Sequence, residues 1–152
     1  MEIEKVLREA GVKFTRREHP VAYTAQEVAA EEHVSGDDVA KPVLVQAGEK
    51  NVMCVLPASC KIDLGKLAKA LKVKSCRLIG EADMAKLFPD VEVGAEPPFG
   101  KFYGLETLVD KRLAERATIT FTAGSHRSAI QMDYADYARL AEPGEADFAV
   151  HL

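Results

Sequence analysis

Two neighbouring apolar runs near the middle of the chain constrain the fold most. The runs AKPVLVQA (40–47) and NVMCVLP (51–57) are rich in valine and leucine and are separated only by GEK. Apolar β-rich runs joined by a short glycine-containing connection are typical of the two strands of a β-hairpin. The sequence therefore predicts a hairpin over 40–57.

The rest of the chain alternates between helix and strand patterns. Apolar residues at helical spacing predict helices over 3–10, 24–33, 63–72, 81–88 and 134–141. β-rich segments predict strands over 12–19, 75–80, 105–110, 117–124 and 128–132, the last two joined through GSHR. This order predicts one α+β domain spanning 1–152, with a mixed and mostly antiparallel sheet and a C-terminal segment that places Phe148 on the core.

Three polar residues are predicted to begin helices. Thr24 with Glu27 three residues later forms a capping-box pattern. Asp63 and Asp133 each stand immediately before a helical segment, where a carboxylate can accept a hydrogen bond from a free helix N–H. Pro143-Gly144 is expected to end the last helix.

Composition narrows the class of protein. The chain has 152 residues and a formal net charge of −4, which argues against generic nucleic-acid binding. No apolar run approaches the length of a transmembrane helix, and the mixed-charge N-terminus does not resemble a signal peptide. We therefore expect a cytoplasmic protein without a membrane partner.

Neither a metal nor a reactive cysteine stands out. The four histidines and three cysteines show no metal-ligand spacing, so neither a metal nor another cofactor is expected. Cys54 lies in an apolar run and is expected in the core. Cys60 and Cys76 flank a basic segment in which Lys61 or Arg77 could activate a thiol, but the sequence supplies no obvious base for either.

The basic segment KIDLGKLAKALKVKSCR (61–77) allows two interpretations. It carries six basic residues and a single acid, Asp63. A solvated helix face is the common explanation for such a pattern. The alternative is a local surface for a phosphate backbone, formed by four lysines: Lys61, Lys66, Lys69 and Lys72.

The segment VGAEPPFGKFYG (93–104) combines permissive and stiff residues. Glycines let a backbone approach a ligand closely, and prolines hold neighbouring peptide groups in a preset position. The segment is either a rigid connector or a loop that recognises a small polar group through Gly94–Pro98 and Gly100.

Lys41 and His126 each have a structural and a functional interpretation. Lys41 opens an apolar strand, where it either extends its ammonium into water or holds an oxygen of a ligand in a cleft. His126 lies in the turn TAGSHRS, either as an ordinary turn residue or as a group presented at a site.

Taken together, these segments resemble the YbaK/prolyl-tRNA-synthetase-associated editing domain family. The resemblance rests on Lys41 after DDVA, on LPASCKIDLGKLAKAL (56–71), on VGAEPPFG (93–100) followed by LETLVD, and on FTAGSHRSAIQM (121–132). It implies a twisted mixed sheet surrounded by helices. It also implies hydrolysis of the ester between a wrong, small amino acid and tRNA, most typically the tRNA for proline, with a synthetase as a possible further partner.

The resemblance also implies roles for individual residues. The expected catalytic groups are Lys41, Gly94, Pro98, Gly100 and His126; the expected substrate contacts are Tyr23, Thr24, Gly124 and Ser125. The expected mechanism uses backbone groups of 94–100 to hold the carbonyl and a water, without a protein nucleophile.

Two departures from the family pattern bear on the substrate. The turn AGSHRS differs from the SGGKRG of the cysteine-removing branch, with Ala123 and His126 in place of its serine and lysine. This looks closer to the branches that remove alanine, or serine and threonine. Pro42 follows the lysine where relatives often carry a polar residue, which puts a contact from that side chain in doubt.

The alternative function is a non-catalytic module that binds aminoacyl-tRNA or a synthetase.

Overall fold

The computed structural model describes residues 2–152. Its six α-helices are α1 (Ile3–Glu9), α2 (Ala25–Glu31), α3 (Leu64–Leu71), α4 (Glu81–Leu87), α5 (Lys111–Ala114) and α6 (Tyr134–Ala141). Its ten strands are β1 (Phe14–Glu18), β2 (Ala40–Ala47), β3 (Lys50–Pro57), β4 (Cys60–Ile62), β5 (Cys76–Leu78), β6 (Glu106–Asp110), β7 (Thr118–Thr122), β8 (Ser128–Asp133), β9 (Gly144–Ala146) and β10 (Ala149–His151). Short 3₁₀ turns cover Gly36–Asp38 and Gly100–Tyr103.

The predicted hairpin is the centre of the largest sheet. β2 and β3 pair antiparallel along their whole length, with Lys41 opposite Leu56 and Ala47 opposite Lys50. The strand order of this sheet is β5-β2-β3-β6-β9, in which β3 with β6 and β6 with β9 are parallel. The prediction of an α+β fold with mixed, mostly antiparallel strand pairing is confirmed, since five of the seven strand pairings in residues 2–152 are antiparallel.

The remaining strands form two smaller sheets. β8 lies between β1 and β7 in an antiparallel three-stranded sheet, and β10 pairs antiparallel with β4. A bridge between Val39 and Thr120 connects the start of β2 with β7. Strands predicted for one sheet are therefore divided among three, because the strand pairing depends on contacts between distant segments that local patterns do not encode.

The two faces of the large sheet bury different cores. Side chains alternate between the faces along a strand. Leu44, Met53 and Val55 belong to the main core, together with Phe99, Phe121 and Tyr137. Val45, Cys54 and Leu56 belong to a second core, which α3 covers with Leu67 and the C-terminal segment covers with Phe148. The expected position of Phe148 is confirmed, since this side chain has no exposed surface.

Two of the three predicted helix caps are formed in the structure. Thr24 and Glu27 form a complete capping box, and the Asp63 carboxylate accepts a hydrogen bond from the Lys66 N–H. Asp133 occupies the N-cap position of α6, but its side chain makes no capping hydrogen bond. α6 ends at Ala141 with Glu142 in the left-handed conformation, and Gly144 already belongs to β9.

Candidate functional site

A small cavity forms where β2, the start of α2, the 93–100 segment and the 123–128 turn meet. Its volume is about 170 Å³. Six of its lining residues are small and apolar: Ala22, Ala25, Val28, Val39, Ala40 and Pro42. The others are Gly94 and five polar residues: Tyr23, Thr24, Lys41, Thr122 and His126.

The His126 ring is held in one orientation. Its Nε2 lies 2.9 Å from the Val93 carbonyl oxygen, which can only accept, so Nε2 donates. In the neutral ring, Nδ1 is then a bare acceptor. Nδ1 is buried and has no hydrogen-bond partner among residues 2–152, and the whole side chain is 9% exposed. A buried acceptor without a partner is costly, and a ligand that donates to it relieves that cost.

Gly94 lies against this ring and has to be glycine for two reasons. Its φ is +88°, a conformation that side chains with a Cβ rarely adopt. A Cβ built at this position would also lie 3.3 Å from His126 Cε1. The backbone of the loop therefore reaches the histidine because a side chain is absent here.

Glu96 fixes the Gly94 peptide. Its carboxylate, 1% exposed, accepts a hydrogen bond from the Gly94 N–H at 2.9 Å. The Ala95 N–H donates to the Glu92 carbonyl, and the Phe99 N–H donates to that of Pro97. Because the two prolines have no N–H, the Glu96 N–H is the one backbone donor of 94–99 without a partner among the residues described. Sequence reasoning missed Glu96, because a buried carboxylate in a loop cannot be distinguished by sequence from an exposed one.

The 123–128 turn clamps the loop from the other side. The Gly124 N–H donates to the Ala95 carbonyl at 2.9 Å, and the Gly124 carbonyl accepts from the Glu92 N–H at 3.0 Å. Ser125 accepts the Arg127 N–H through Oγ, which tightens the turn. Gly124 and Ser125 line a separate hollow of about 400 Å³, next to Arg16, and not the small cavity.

Lys41 lines the cavity, but its ammonium is bound elsewhere. Nζ donates to the Cys60 carbonyl oxygen at 2.5 Å. Since Ala40 belongs to the main core and Val45 to the second, strand alternation places the Lys41 side chain on the side of the second core. Burial lowers the pKa of Lys41 below its ordinary value, and an electrostatic contribution from Cys60 acts in the opposite direction.

Pro98 and Gly100 hold the loop on the main core and do not line the small cavity. The Pro98 carbonyl accepts a hydrogen bond from the buried Tyr137 hydroxyl at 2.6 Å. A Cβ at Gly100 would lie 2.5 Å from Thr107 Oγ1. Gly100 is therefore a packing glycine.

Tyr23 and Thr24 line the cavity at its α2 side. The Tyr23 ring lies 4.9 Å from the His126 ring, centroid to centroid, and remains 69% exposed. The Thr24 hydroxyl is committed to the capping box, where it accepts from the Glu27 N–H at 3.1 Å.

The four predicted lysines lie away from this cavity. Lys61 belongs to β4, and Lys66 and Lys69 belong to α3, which covers the second core. Lys66 forms an ion pair with Asp147 at 2.8 Å. Lys69 and Lys72 are exposed at the end of α3, where Lys72 adopts the left-handed conformation.

The three cysteines also lie outside the cavity. Burial raises the pKa of Cys54 to about 12, so this thiol stays protonated at neutral pH. The Cys60 sulfur accepts a hydrogen bond from Arg112 Nη1 at 3.3 Å. Residues 2–152 contain no group of three or more histidine, cysteine or carboxylate side chains arranged to hold a metal ion. In the same range, no helix is both long and apolar enough to cross a membrane.

Known proteins resemble this chain in sequence and in fold. A multifunctional Ser/Thr-tRNA deacylase, ProXp-y of Escherichia coli K12, is 32% identical over 100 residues. That match covers 65% of this chain and 59% of the relative, so the chain spans about three-fifths of the curated relatives it matches.

Solved structures with low sequence identity share the fold over almost the whole chain. A hypothetical protein superposes with a TM-score of 0.87 at 18% identity, over 99% of this chain and 100% of that one. A candidate trans-editing enzyme for prolyl-tRNA synthetase superposes with a TM-score of 0.84, also at 18% identity, over 98% of this chain and 95% of that one.

The family model of the aminoacyl-tRNA editing domain matches residues 19–140, a range that contains the whole cavity and the loop and turn that build it. The resemblance seen in the sequence is thereby confirmed, and the chain belongs to the aminoacyl-tRNA editing domain family.

Proposed function

We propose that this protein hydrolyses the ester bond between a small amino acid and the 3′ end of a tRNA. The observation that carries the proposal is the cavity in which Gly94 and the fixed His126 ring meet, about 170 Å³ in volume. Membership of the editing-domain family and the similarity to a Ser/Thr-tRNA deacylase support the reaction type.

The reaction asks little of the protein beyond positioning. An aminoacyl ester is already activated, and holding a water and the ester in a reactive geometry lowers the barrier by several kcal/mol. The unpartnered Nδ1 of His126 is the acceptor that orients the substrate ammonium or the attacking water. In the proposed path a water attacks the ester directly, and no side chain forms a covalent intermediate.

We propose that Lys41 joins the site when its ammonium exchanges the Cys60 carbonyl for an oxygen of the substrate. Its ammonium has three donors and sits on a flexible stem, and one donor is bound to the Cys60 carbonyl. In the proposal, this ammonium turns to the ester carbonyl or to a ribose oxygen when substrate enters. A preorganised donor at a developing oxyanion is worth about 3–4 kcal/mol in other enzymes, and Lys41 would contribute less because its ammonium must first leave the Cys60 carbonyl.

Cavity size and lining select the amino acid. A volume of about 170 Å³ bordered by alanine, valine and proline side chains accepts alanine, serine or threonine and excludes large side chains. Such a second sieve is useful because one methylene gives a synthetase only about 1–3 kcal/mol of discrimination. We propose tRNA for proline, or a related tRNA, as the carrier, with a synthetase as a possible source of the substrate.

The test is deacylation of purified tRNAs charged with alanine, serine, threonine or cysteine. We expect rapid hydrolysis of at least one of the first three and little loss of the cysteinyl ester. His126→Ala and Lys41→Ala are expected to lower kcat by about 100-fold or more on the preferred substrate. Lys111→Ala, at an exposed lysine outside the cavity, is the control and should leave kcat unchanged.

Failure would take a recognisable form. If micromolar protein leaves all four esters intact, the enzyme assignment is wrong. Tight binding of the same tRNAs without hydrolysis would then favour the alternative, a module that recognises aminoacyl-tRNA without acting on it.

A further inference from the structure

The cavity is too small for the whole end of the proposed substrate. Drug-sized ligands occupy sites of about 300–1,000 Å³, whereas this cavity holds about 170 Å³. It admits a small aminoacyl group but not the adenosine that carries it, so the nucleoside must lie at the mouth.

One exposed aromatic side chain borders the histidine at this cavity. Tyr23 is 69% exposed, the most exposed large hydrophobic side chain in residues 2–152, and its ring contacts the His126 ring. Val93 is 38% exposed and accepts the His126 N–H through its carbonyl. Only five large hydrophobic side chains in residues 2–152 are exposed, and the most exposed of them contacts this buried histidine.

The surroundings of Tyr23 favour a planar ligand. The ring contacts the His126 ring at an interplanar angle of 53°, and the backbone of the next residue is held by the capping box. A held aromatic ring that leaves most of its surface open is the arrangement that stacks on a nucleobase, because every base offers a π-face.

We propose that Tyr23 is the platform on which the terminal adenine of the substrate stacks. This inference rests on the proposed function for the identity of the ligand. It assigns Tyr23 to binding of the base and separates it from His126 and Lys41, which act on the ester.

The test uses two hydrolysis-resistant ligands. One is adenosine with serine joined to the 3′ position as an amide; the other is the same seryl-ribose without the base. Calorimetry on the intact protein should show that the base strengthens binding to the wild type. Tyr23→Ala should weaken the adenosine ligand by roughly 5- to 150-fold, the range that loss of a base–aromatic stack produces, and leave the abasic ligand unchanged.

Two further variants keep the result interpretable. Tyr23→Phe retains the ring and should bind both ligands like the wild type. Leu78→Ala, at an exposed side chain outside the cavity, is the control and should also leave binding of both ligands unchanged. An equal loss for both ligands would mean that Tyr23 acts by supporting His126, and the platform would be wrong. It would also be wrong if the wild type bound the two ligands equally or bound neither.

The platform and the proposed reaction can fail separately. A wild type that binds the adenosine ligand through Tyr23 but hydrolyses none of the charged tRNAs supports the platform and removes the enzyme assignment. If the protein hydrolyses a charged tRNA and Tyr23→Ala leaves its kcat/KM unchanged, the enzyme assignment holds and the platform is wrong.

Discussion

At the scale of single residues, the site depends on a glycine whose conformation and neighbour both exclude a side chain. Gly94→Ala would place a Cβ against His126 at a φ of +88°. We expect a loss of stability of about 1–2 kcal/mol from the backbone conformation alone, and a loss of activity of more than 10-fold because the histidine must move.

Gly104→Ala separates these two effects. Gly104 has a φ of +73°, but a Cβ there would meet nothing within 4 Å. Urea unfolding should show a similar stability loss for both variants, whereas deacylation rates should fall only for Gly94→Ala. Equal activity in the two variants would show that the contact with His126 is unimportant.

Glu96 is predicted to support activity by holding the Gly94 peptide in position. Its buried carboxylate holds the Gly94 N–H. Glu96→Gln keeps an oxygen acceptor and should retain most of the activity. Glu96→Ala leaves the N–H unpaired and frees the loop, and we expect kcat to fall about 10-fold or more with little change in KM. Equally low activity in both variants would instead assign a role to the charge itself.

At the scale of elements, one aspartate attaches the C-terminal strand to the sheet. Asp110 is fully buried at the end of β6, and its carboxylate accepts hydrogen bonds from the N–H groups of Phe148, Ala149 and Arg112. Asp110→Ala leaves all three unpaired, at about 1–3 kcal/mol for each buried group. We expect a loss of about 3 kcal/mol in the free energy of unfolding, measured with urea.

Asp63→Ala is the matched comparison for Asp110. It removes the N-cap of α3 and should cost about 1 kcal/mol, the usual value for a helix cap. Asp110→Asn keeps one acceptor oxygen, so its loss in the free energy of unfolding should lie between those of Asp63→Ala and Asp110→Ala. If Asp110→Ala cost no more than Asp63→Ala, the C-terminal segment would not depend on this carboxylate.

The elements that the sequence predicted are those whose signals are local. The capping box at Thr24, the cap at Asp63 and the hairpin over 40–57 each depend on neighbouring residues. The strands β4, β9 and β10 were not predicted. Each has three residues and is defined by a distant partner, which no periodicity reveals.

The site shows the same division between local and distant signals. Gly94 and His126 were identified from motifs and do lie together. The carboxylate of Glu96 and the ammonium of Lys41 are placed by buried contacts with other segments, so their partners could not be deduced from the sequence.

At the scale of the whole molecule, Lys69 and Lys72 lie apart from the residues that line the cavity. α3 covers the second core, whereas Ala22, Val28 and Val39, which line the cavity, belong to a separate apolar cluster. A ligand that only fills the cavity therefore cannot also contact Lys69 and Lys72. If these lysines bind the substrate, they contact a part of the tRNA well away from its 3′ end.

This arrangement makes a prediction that depends on substrate length. The double variant Lys69→Ala/Lys72→Ala should raise KM for a full charged tRNA and leave KM for a charged CCA trinucleotide unchanged. Each lost phosphate contact should also reduce the slope of log affinity against log salt by about 0.7–0.9. Lys66→Ala is the control, because Lys66 is already paired with Asp147 and should contribute less. An equal rise in KM for the trinucleotide would contradict the separation of these lysines from the cavity, and an unchanged KM for full tRNA at low salt would assign them to a solvated helix face.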